Sequence, residues 1–411
     1  RFPENIPIQD NVMKSDSFQV GPQTAQMLEL GHPWVLADRY TKSWPVGRAG
    51  DIIELRDSKG RLLATALYDP HDRIVARVLA YGPMRFDRAW LEEKLSGALE
   101  LRSFQFDLID TNAYRLVNAE GDGLPGLTVD RYGDHLMVQF FSRAWKPHLA
   151  MVVDLLKKLT GPAGIYTKYR PQQTRELAEE DGKRYSRLAA GQAAPGRMIV
   201  TENGLNFLVD LEEGLNTGLF SDQRANRRDL MQRVRGKKVL NLFAYTGAFS
   251  VAAAAAGALR VTSVDASSRY LDWARENFSA NRLNPKRHDF IVGDCFAVLD
   301  DLVREKARFD VVIMDPPSFS TVGKSRFTTS GGTADLVALA LDLLPPGGLL
   351  VTSSNHQKID LADYLKELRR GALRAGCGLR IIRVAGQGED FPFTVTFPEG
   401  RYLKYVMGIR D

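Results

Sequence analysis

Val239-Leu240-Asn241-Leu242-Phe243-Ala244-Tyr245-Thr246-Gly247-Ala248-Phe249 decides the fold. Residues 239–243 form an apolar run of strand length, and residues 248–256 are the small, apolar residues of a tightly packed helix. The same rhythm repeats downstream: a strand over 260–264, a helix over 270–281, and strands over 289–292 and 309–314. A helix over 333–343, a strand over 348–353, a helix over 361–375 and strands over 379–384 and 402–406 complete it. Alternation of this kind calls for a parallel sheet covered on both faces. Ligands of such sheets lie beyond the carboxyl ends of the strands, where strand order reverses.

Upstream the pattern differs. Residues 51–55, 62–68 and 74–79 are short apolar runs separated by Asp57-Ser58-Lys59-Gly60 and Asp69-Pro70-His71-Asp72, so a small β-rich module is expected. Before it, Leu30-Gly31-His32-Pro33-Trp34-Val35 reads as a turn carrying an aromatic that either anchors a small barrel core or meets RNA. A helix over 86–104 opens an α+β middle region, with strands at 114–118, 127–130 and 135–141, a hairpin about Tyr132-Gly133-Asp134, a helix over 149–159 and a strand over 165–168. The polar stretch 176–196 reads as a linker or loop. Three domains are expected: 1–85, 86–195 and 196–411.

Composition bounds these readings. The 411 residues are 44% hydrophobic and 26% charged, as in a globular chain. No apolar run reaches the roughly 18–20 residues that cross a bilayer. The start lacks a signal pattern and an initiator Met, and trimming of the first residues is expected. Two cysteines, Cys295 and Cys377, have no metal-ligand spacing, which argues against a disulfide scaffold or zinc site and suits a cytoplasmic setting. A net charge of +5 fits a polyanionic partner without requiring one.

Strand ends carry the candidate chemistry. The first strand runs into Asn241, Phe243, Tyr245, Thr246 and Gly247, where the free N–H groups of a helix start suit a carboxylate. The second ends at Asp265-Ala266, the position from which an acid binds ribose hydroxyls in doubly wound folds. The third ends in Gly293-Asp294-Cys295-Phe296, an acid beside an aromatic that could hold an adenine. A dehydrogenase would share the first two features. The fourth strand separates the cases, because Val311-Val312-Ile313-Met314 runs into Asp315-Pro316-Pro317-Ser318-Phe319. Two prolines fix a loop whose carbonyls point into the site, and the following aromatic can stack on a base. Hydride transfer needs no such loop. The loop therefore favours a methyltransferase that uses S-adenosylmethionine (AdoMet).

These residues resemble the large-subunit rRNA base methyltransferases related to the 23S rRNA cytosine-C5 enzymes. The matching stretches are Thr217-Gly218-Leu219-Phe220-Ser221-Asp222-Gln223-Arg224, residues 241–249 and 315–319, and Tyr402-Leu403-Lys404 after Pro398-Glu399-Gly400. Asn118-Ala119-Glu120-Gly121-Asp122-Gly123-Leu124-Pro125-Gly126 looks like the family's middle domain, and His32-Pro33-Trp34 like its N-terminal PUA domain, an RNA-binding fold. The resemblance implies a Rossmann-like class I AdoMet methyltransferase domain in an α/β fold, preceded by the PUA-like and α+β domains. It implies AdoMet contacts from Phe220, Asp222, Gln223, Arg224, Asp265, Asp294 and Asp315, an rRNA substrate, free or in an assembling subunit, and a homodimer.

One departure bears on the acceptor atom. Carbon 5 of cytosine is a poor nucleophile, and enzymes that methylate it first add a cysteine thiolate to C6. In the family's C5 members that cysteine follows the fifth strand, where this chain has Ser353-Ser354-Asn355-His356. Asn355, with residues 315–320, looks more like the related guanine-N7 enzymes. Guanine N7 has an in-plane lone pair and can attack a sulfonium methyl directly, so catalysis reduces to holding the base in line. Asp315, Pro316, Pro317, Phe319 and Asn355 are the candidate catalytic residues. Asn355 equally suits the role of cap to the next helix. An exocyclic amine is a further possible acceptor, cytosine C5 stands as the alternative, and a catalytically inactive RNA-binding ribosome-assembly factor is the alternative from another class. His356 reads as a general base or a loop histidine. His32, Trp34, Lys324, Arg326, Arg401 and Lys404 are candidate RNA contacts, or simply solvated charge in the case of the cations.

Overall fold

The computed structural model describes residues 18–105, 110–170, 186–317 and 332–411. Contacts divide the chain into two units, one drawn from 1–106, 115–194 and 391–400, the other from 107–114, 195–390 and 401–411.

In the first unit, helix α1 (Pro22–Glu29) precedes strands β1 (Trp34–Leu36), β2 (Ile52–Arg56), β3 (Leu62–Tyr68) and β4 (Ile74–Ala80). They pair antiparallel in the order β1-β4-β3-β2. Burial alternates along β2, which turns Ile53 and Leu55 inward against Phe18, Val20, Leu28 and Trp44. Trp44, not Trp34, anchors this core, meeting Phe18 edge-on at 5.4 Å.

Helix α2 (Arg88–Gln105) leads to a second sheet of β5 (Ala113–Asn118), β6 (Leu127–Tyr132), β7 (His135–Phe140), β8 (Gly164–Tyr169) and β9 (Arg187–Gly191), ordered as numbered. The expected β6–β7 hairpin forms, and helix α3 (Leu149–Thr160) crosses over to set β8 parallel to β7. Strand β9 lies inside the stretch read as a linker. Its sequence, Arg187-Leu188-Ala189-Ala190-Gly191, has no apolar alternation, and its pairing with β8 is made by the backbone. Residues 391–400 close this unit. Asn118 Nδ2 donates to Pro392 O at 2.8 Å, the Arg115 guanidinium lies 4.5 Å over the Phe391 ring, and Phe397 packs 4.6 Å from Trp34.

The second unit begins with a hairpin absent from the sequence reading, β10 (Met198–Glu202) and β11 (Leu205–Val209). Its turn is Asn203-Gly204, both with positive φ (52° and 73°), the two-residue signature that matches strand twist. Then follow α4 (Arg224–Met231), β12 (Lys238–Leu242), α5 (Ala248–Ala255), β13 (Arg260–Asp265), α6 (Ser268–Ala280), β14 (Asp289–Val292), α7 (Cys295–Arg304) and β15 (Val311–Met314). Helix α8 (Gly332–Leu343), β16 (Leu349–Ser354), α9 (Leu361–Arg374), β17 (Leu379–Ala385) and β18 (Lys404–Arg410) complete it.

Seven strands order as β14-β13-β12-β15-β16-β18-β17. The first five are parallel, as expected. At the other edge β18 runs antiparallel to both β16 and β17, so the sheet is mixed rather than wholly parallel. Every residue of β15 is buried, as its unbroken apolar run requires in a sheet covered on both faces. From β12 the chain builds outward through β13 and β14, then crosses to β15 on the other side. The strand order therefore reverses between β12 and β15, which marks where a ligand crevice opens.

Candidate active site

The candidate cofactor site lies within the second unit. The loop after β12 is wound tightly: Phe243, Tyr245 and Gly247 have φ of 56°, 50° and 77°. Positive φ on two aromatic residues is strained and needs outside support. That support is visible, because Phe243 N donates to Cys295 Sγ at 3.3 Å and Tyr245 N to Asp265 Oδ2 at 2.8 Å. At Gly247 a Cβ would also sit 2.7 Å from that of Ala274, so glycine serves both the turn and the approach of α6. No side chain caps the start of α5 there.

Asp265 closes β13 and accepts from Ser267 N at 2.9 Å as well as from Tyr245 N. Each carboxylate oxygen keeps a second lone pair for a ribose hydroxyl. Asp294 caps α7, its Oδ1 accepting from Phe296 N and Ala297 N. The Phe296 ring joins the hydrophobic core, so the apolar surface beside Asp294 is instead Val292, 52% exposed at the end of β14. Phe220, 43% exposed, packs 5.3 Å from the Tyr245 ring, and Tyr245 meets Tyr270 at 4.5 Å. Ala266 is exposed at the same edge. Carboxylates for hydroxyls and amines, an uncapped helix start and the exposed side chains of Phe220 and Val292 together fit an adenosyl amino acid.

Asp315 follows β15 and is gripped from two sides. Ser353 Oγ donates to its Oδ1 at 2.5 Å, and Gln223 Nε2 donates to its Oδ2 at 3.1 Å. Burial, with Asp222 nearby, pushes its carboxyl up to about 6, against the pull of those two donors and of Arg227. Pro316 is half-buried and Pro317 exposed. Phe319, Lys324 and Arg326 lie outside the described residues.

Several expected site residues hold the scaffold. Arg224 is buried on Asp390 at 2.9 Å. Asn241 Nδ2 donates to Ser250 Oγ, and the fully buried Thr246 hydroxyl donates to Gly218 O. Asp222 accepts from Tyr402 OH at 2.7 Å. Lys404 is buried, and its ammonium donates to the carbonyls of His356 and Tyr402 rather than reaching outward to a phosphate. Arg401 is exposed. Asn355 is exposed and does not cap α9; Asp360 does, accepting from Asp363 N at 2.7 Å. His356 is held below the ordinary histidine range by burial, with Lys404 and Lys358 adding to it. In the first unit, Trp34 Nε1 donates to Glu120 at 2.7 Å and His32 Nδ1 accepts from Trp34 N.

The thiols are informative. Burial pushes Cys295 up to about 12, so a thiolate there is strongly disfavoured. Cys377 packs beside the core after α9. The sequence reading missed Ser353 as a partner of Asp315, and also Asn226, Tyr270, Val292 and Arg227. The last forms a buried bidentate pair with Glu202 at 2.7 Å and donates to Phe220 O, fixing the residue that bears the exposed ring. For Asn226 and Arg227 the sequence signal was proximity to the Asp222–Arg224 stretch; Ser353, Tyr270 and Val292 lie far from it in sequence.

The sequence profile of the S-adenosylmethionine-dependent methyltransferases matches residues 115–392, and that of the PUA-like domain matches residues 18–81. Ribosomal RNA large subunit methyltransferase I of Klebsiella pneumoniae is 33% identical over 378 residues, covering 91% of this chain and 93% of that protein. Its Escherichia coli counterpart is also 33% identical, with 91% and 94% covered. A Streptococcus mutans structure assigned as a SAM-dependent methyltransferase superposes with a TM-score of 0.84 at 27% identity, covering 96% of this chain and 99% of that one. A structure assigned as a methyltransferase and complexed with SAH superposes at 0.85, also with 27% identity, covering 95% and 99%.

Proposed function

The chain belongs to the S-adenosylmethionine-dependent methyltransferase family, and from that membership we propose that it methylates a base of large-subunit ribosomal RNA. One observation carries the reading. Asp265, Asp294 and Asp315 follow the carboxyl ends of β13, β14 and β15, flanking the wound loop after β12 at the point where strand order reverses. When bound, AdoMet supplies an electrophilic methyl on a sulfonium. Asp265 would take its ribose, Asp294 and Val292 its adenine, and the start of α5 its carboxylate. Asp315, the Pro316 carbonyl, Asn355 and Phe319 would hold a base drawn out of its helix. The PUA-like domain, an RNA-binding fold, would supply affinity for the RNA through His32, Trp34 and neighbouring cations.

The acceptor is a base nitrogen in this reading, guanine N7 above all, because burial disfavours a Cys295 thiolate and Cys377 packs beside the core after α9. Kinship favours the second reading, cytosine C5: the chain resembles C5 enzymes along nearly its whole length, and its 33%-identical relatives are large-subunit enzymes. Nucleoside mass spectrometry of rRNA from cells lacking the protein decides between them. Loss of 7-methylguanosine supports the first and loss of 5-methylcytidine the second, while an unchanged nucleoside profile removes rRNA as the substrate.

The finer partner assignments belong to the same proposal. Free rRNA or an assembling subunit is the substrate, the cytoplasm is the setting, and two copies form a homodimer, which light scattering tests. Division into 1–85, 86–195 and 196–411 is checked by limited proteolysis. Among the described residues no helix is long and apolar enough to cross a membrane.

A further inference from the structure

We propose that Gln223 is a positioning residue that aims the Asp315 carboxyl at the transferring methyl and its acceptor base, and that it makes no contact of its own with either. The proposal rests on the methyltransferase reading of the site. Gln223 is 2% exposed and precedes α4. Both hydrogens of its amide are used, one on Asp315 Oδ2 at 3.1 Å and one on Ser353 Oγ at 3.2 Å. Its carbonyl accepts from Asn226 Nδ2 at 2.7 Å, and Asn226 is itself tied to Gly386 O at 3.1 Å.

This chain of bonds leaves the Gln223 amide one way round. Turned over, its NH2 would face the Asn226 donor and its carbonyl would face a carboxylate. Ser353, which receives one Gln223 hydrogen, passes its own to Asp315 Oδ1 at 2.5 Å. Each oxygen of Asp315 is thus held by one donor, and the two donors are linked through Gln223. A carboxyl held in this way keeps a single orientation, and its charged form is the one the donors suit. The other groups acting on Asp315 are Asp222, which opposes the charge, and Arg227 on α4, which favours it. Tyr364 on α9 and Tyr405 on β18 also feel its charge, and burial keeps both phenols neutral.

If the Asp315 carboxylate is the competent form, methyl transfer falls as pH drops through its titration. Removing the Gln223 donors should loosen the carboxyl and raise its proton affinity together. The test uses the full chain, with rRNA from cells lacking the protein as substrate. Methyl transfer is followed from about pH 5 to 9, and AdoMet affinity is measured by calorimetry, for wild type, Gln223→Leu and Gln223→Glu. Gln223→Leu is expected to lose roughly ten- to hundredfold in kcat, with its acid limb moved up by about one pH unit and AdoMet Kd within about twofold. Gln223→Glu, of nearly the same shape, puts two carboxyls side by side that must share a proton. It is expected to be most active at acid pH and to lose activity as pH rises, reversing the wild-type slope; this variant also reads the proposal should the Leu variant not fold. A profile that only scales down, with both limbs in place, would overturn the proposal. So would a raised AdoMet Kd at unchanged kcat, which would make Gln223 a cofactor contact. Wild type that binds no AdoMet would instead sink the methyltransferase reading beneath it.

Discussion

Replacing Asp315 with Asn should silence methyl transfer and yet strengthen the fold. The carboxyl stands at about 6 in the native chain against 3.8 for an ordinary aspartate, with burial as the first cause. As pH rises, the unfolded chain therefore gives up this proton before the folded one does. Stability is withdrawn between the two values and is fully withdrawn above about 6. A gap of about two units at about 1.4 kcal/mol each amounts to about 3 kcal/mol. Asp315 keeps some exposure, and solvent screening trims the figure to about 2 kcal/mol. Asn carries no charge to desolvate. Its carbonyl can accept from Gln223 Nε2 and its NH2 can donate to Ser353 Oγ, but the Ser353 hydroxyl hydrogen then gives up its acceptor, which takes back about 1 kcal/mol. Urea unfolding of the full chain, compared between wild type and variant, should show the variant ahead by about 1 kcal/mol above pH 7. That lead should shrink as pH falls toward about 4. Equal stabilities at both pH values, or a variant weaker at neutral pH, would refute the reasoning. Undiminished turnover would take Asp315 out of the site.

Three other outcomes are expected. A chain with Cys295→Ser and Cys377→Ser should keep its methyl transfer, since the serine hydroxyl can accept from Phe243 N as the sulfur does; loss of transfer with AdoMet binding kept would favour cysteine-dependent C5 chemistry. Glu202→Ala strands the buried Arg227 guanidinium, and a loss of about 3–5 kcal/mol is expected by denaturant titration. Gly247→Ala combines a positive φ with a contact 2.7 Å from Ala274 Cβ, and should cost about 1–3 kcal/mol while weakening AdoMet binding measured by calorimetry.

Local signals were legible where a short stretch holds the whole cause. The strand-then-helix rhythm from residue 239 onward and the acids at three strand ends could be read directly, because a strand and the residue after it are one continuous segment. The Asn203-Gly204 hairpin was equally local and went unread beside the stronger pattern that follows it. Other features were out of reach. Gln223 and Ser353 are 130 residues apart, and no local window shows that one amide bridges Ser353 and Asp315. Lys404 looked like a solvated cation because burial is set by the strands packed around it, not by its neighbours in sequence. Strand β9 had no apolar alternation to betray it. Asn355 had two roles open to it, and the structure closed one by giving the helix cap to Asp360.

The return of residues 391–400 to the first unit has a consequence for biosynthesis. A nascent chain emerges amino end first, and domains ordinarily fold as they appear. Here the N-terminal unit waits for Pro392 and Phe397 to meet Asn118 and Trp34, which happens only after residues 195–390 of the second unit have been made. Neither half can be excised as one contiguous fragment with its packing intact, and a premature stop before residue 391 would leave even the amino-terminal half unfinished.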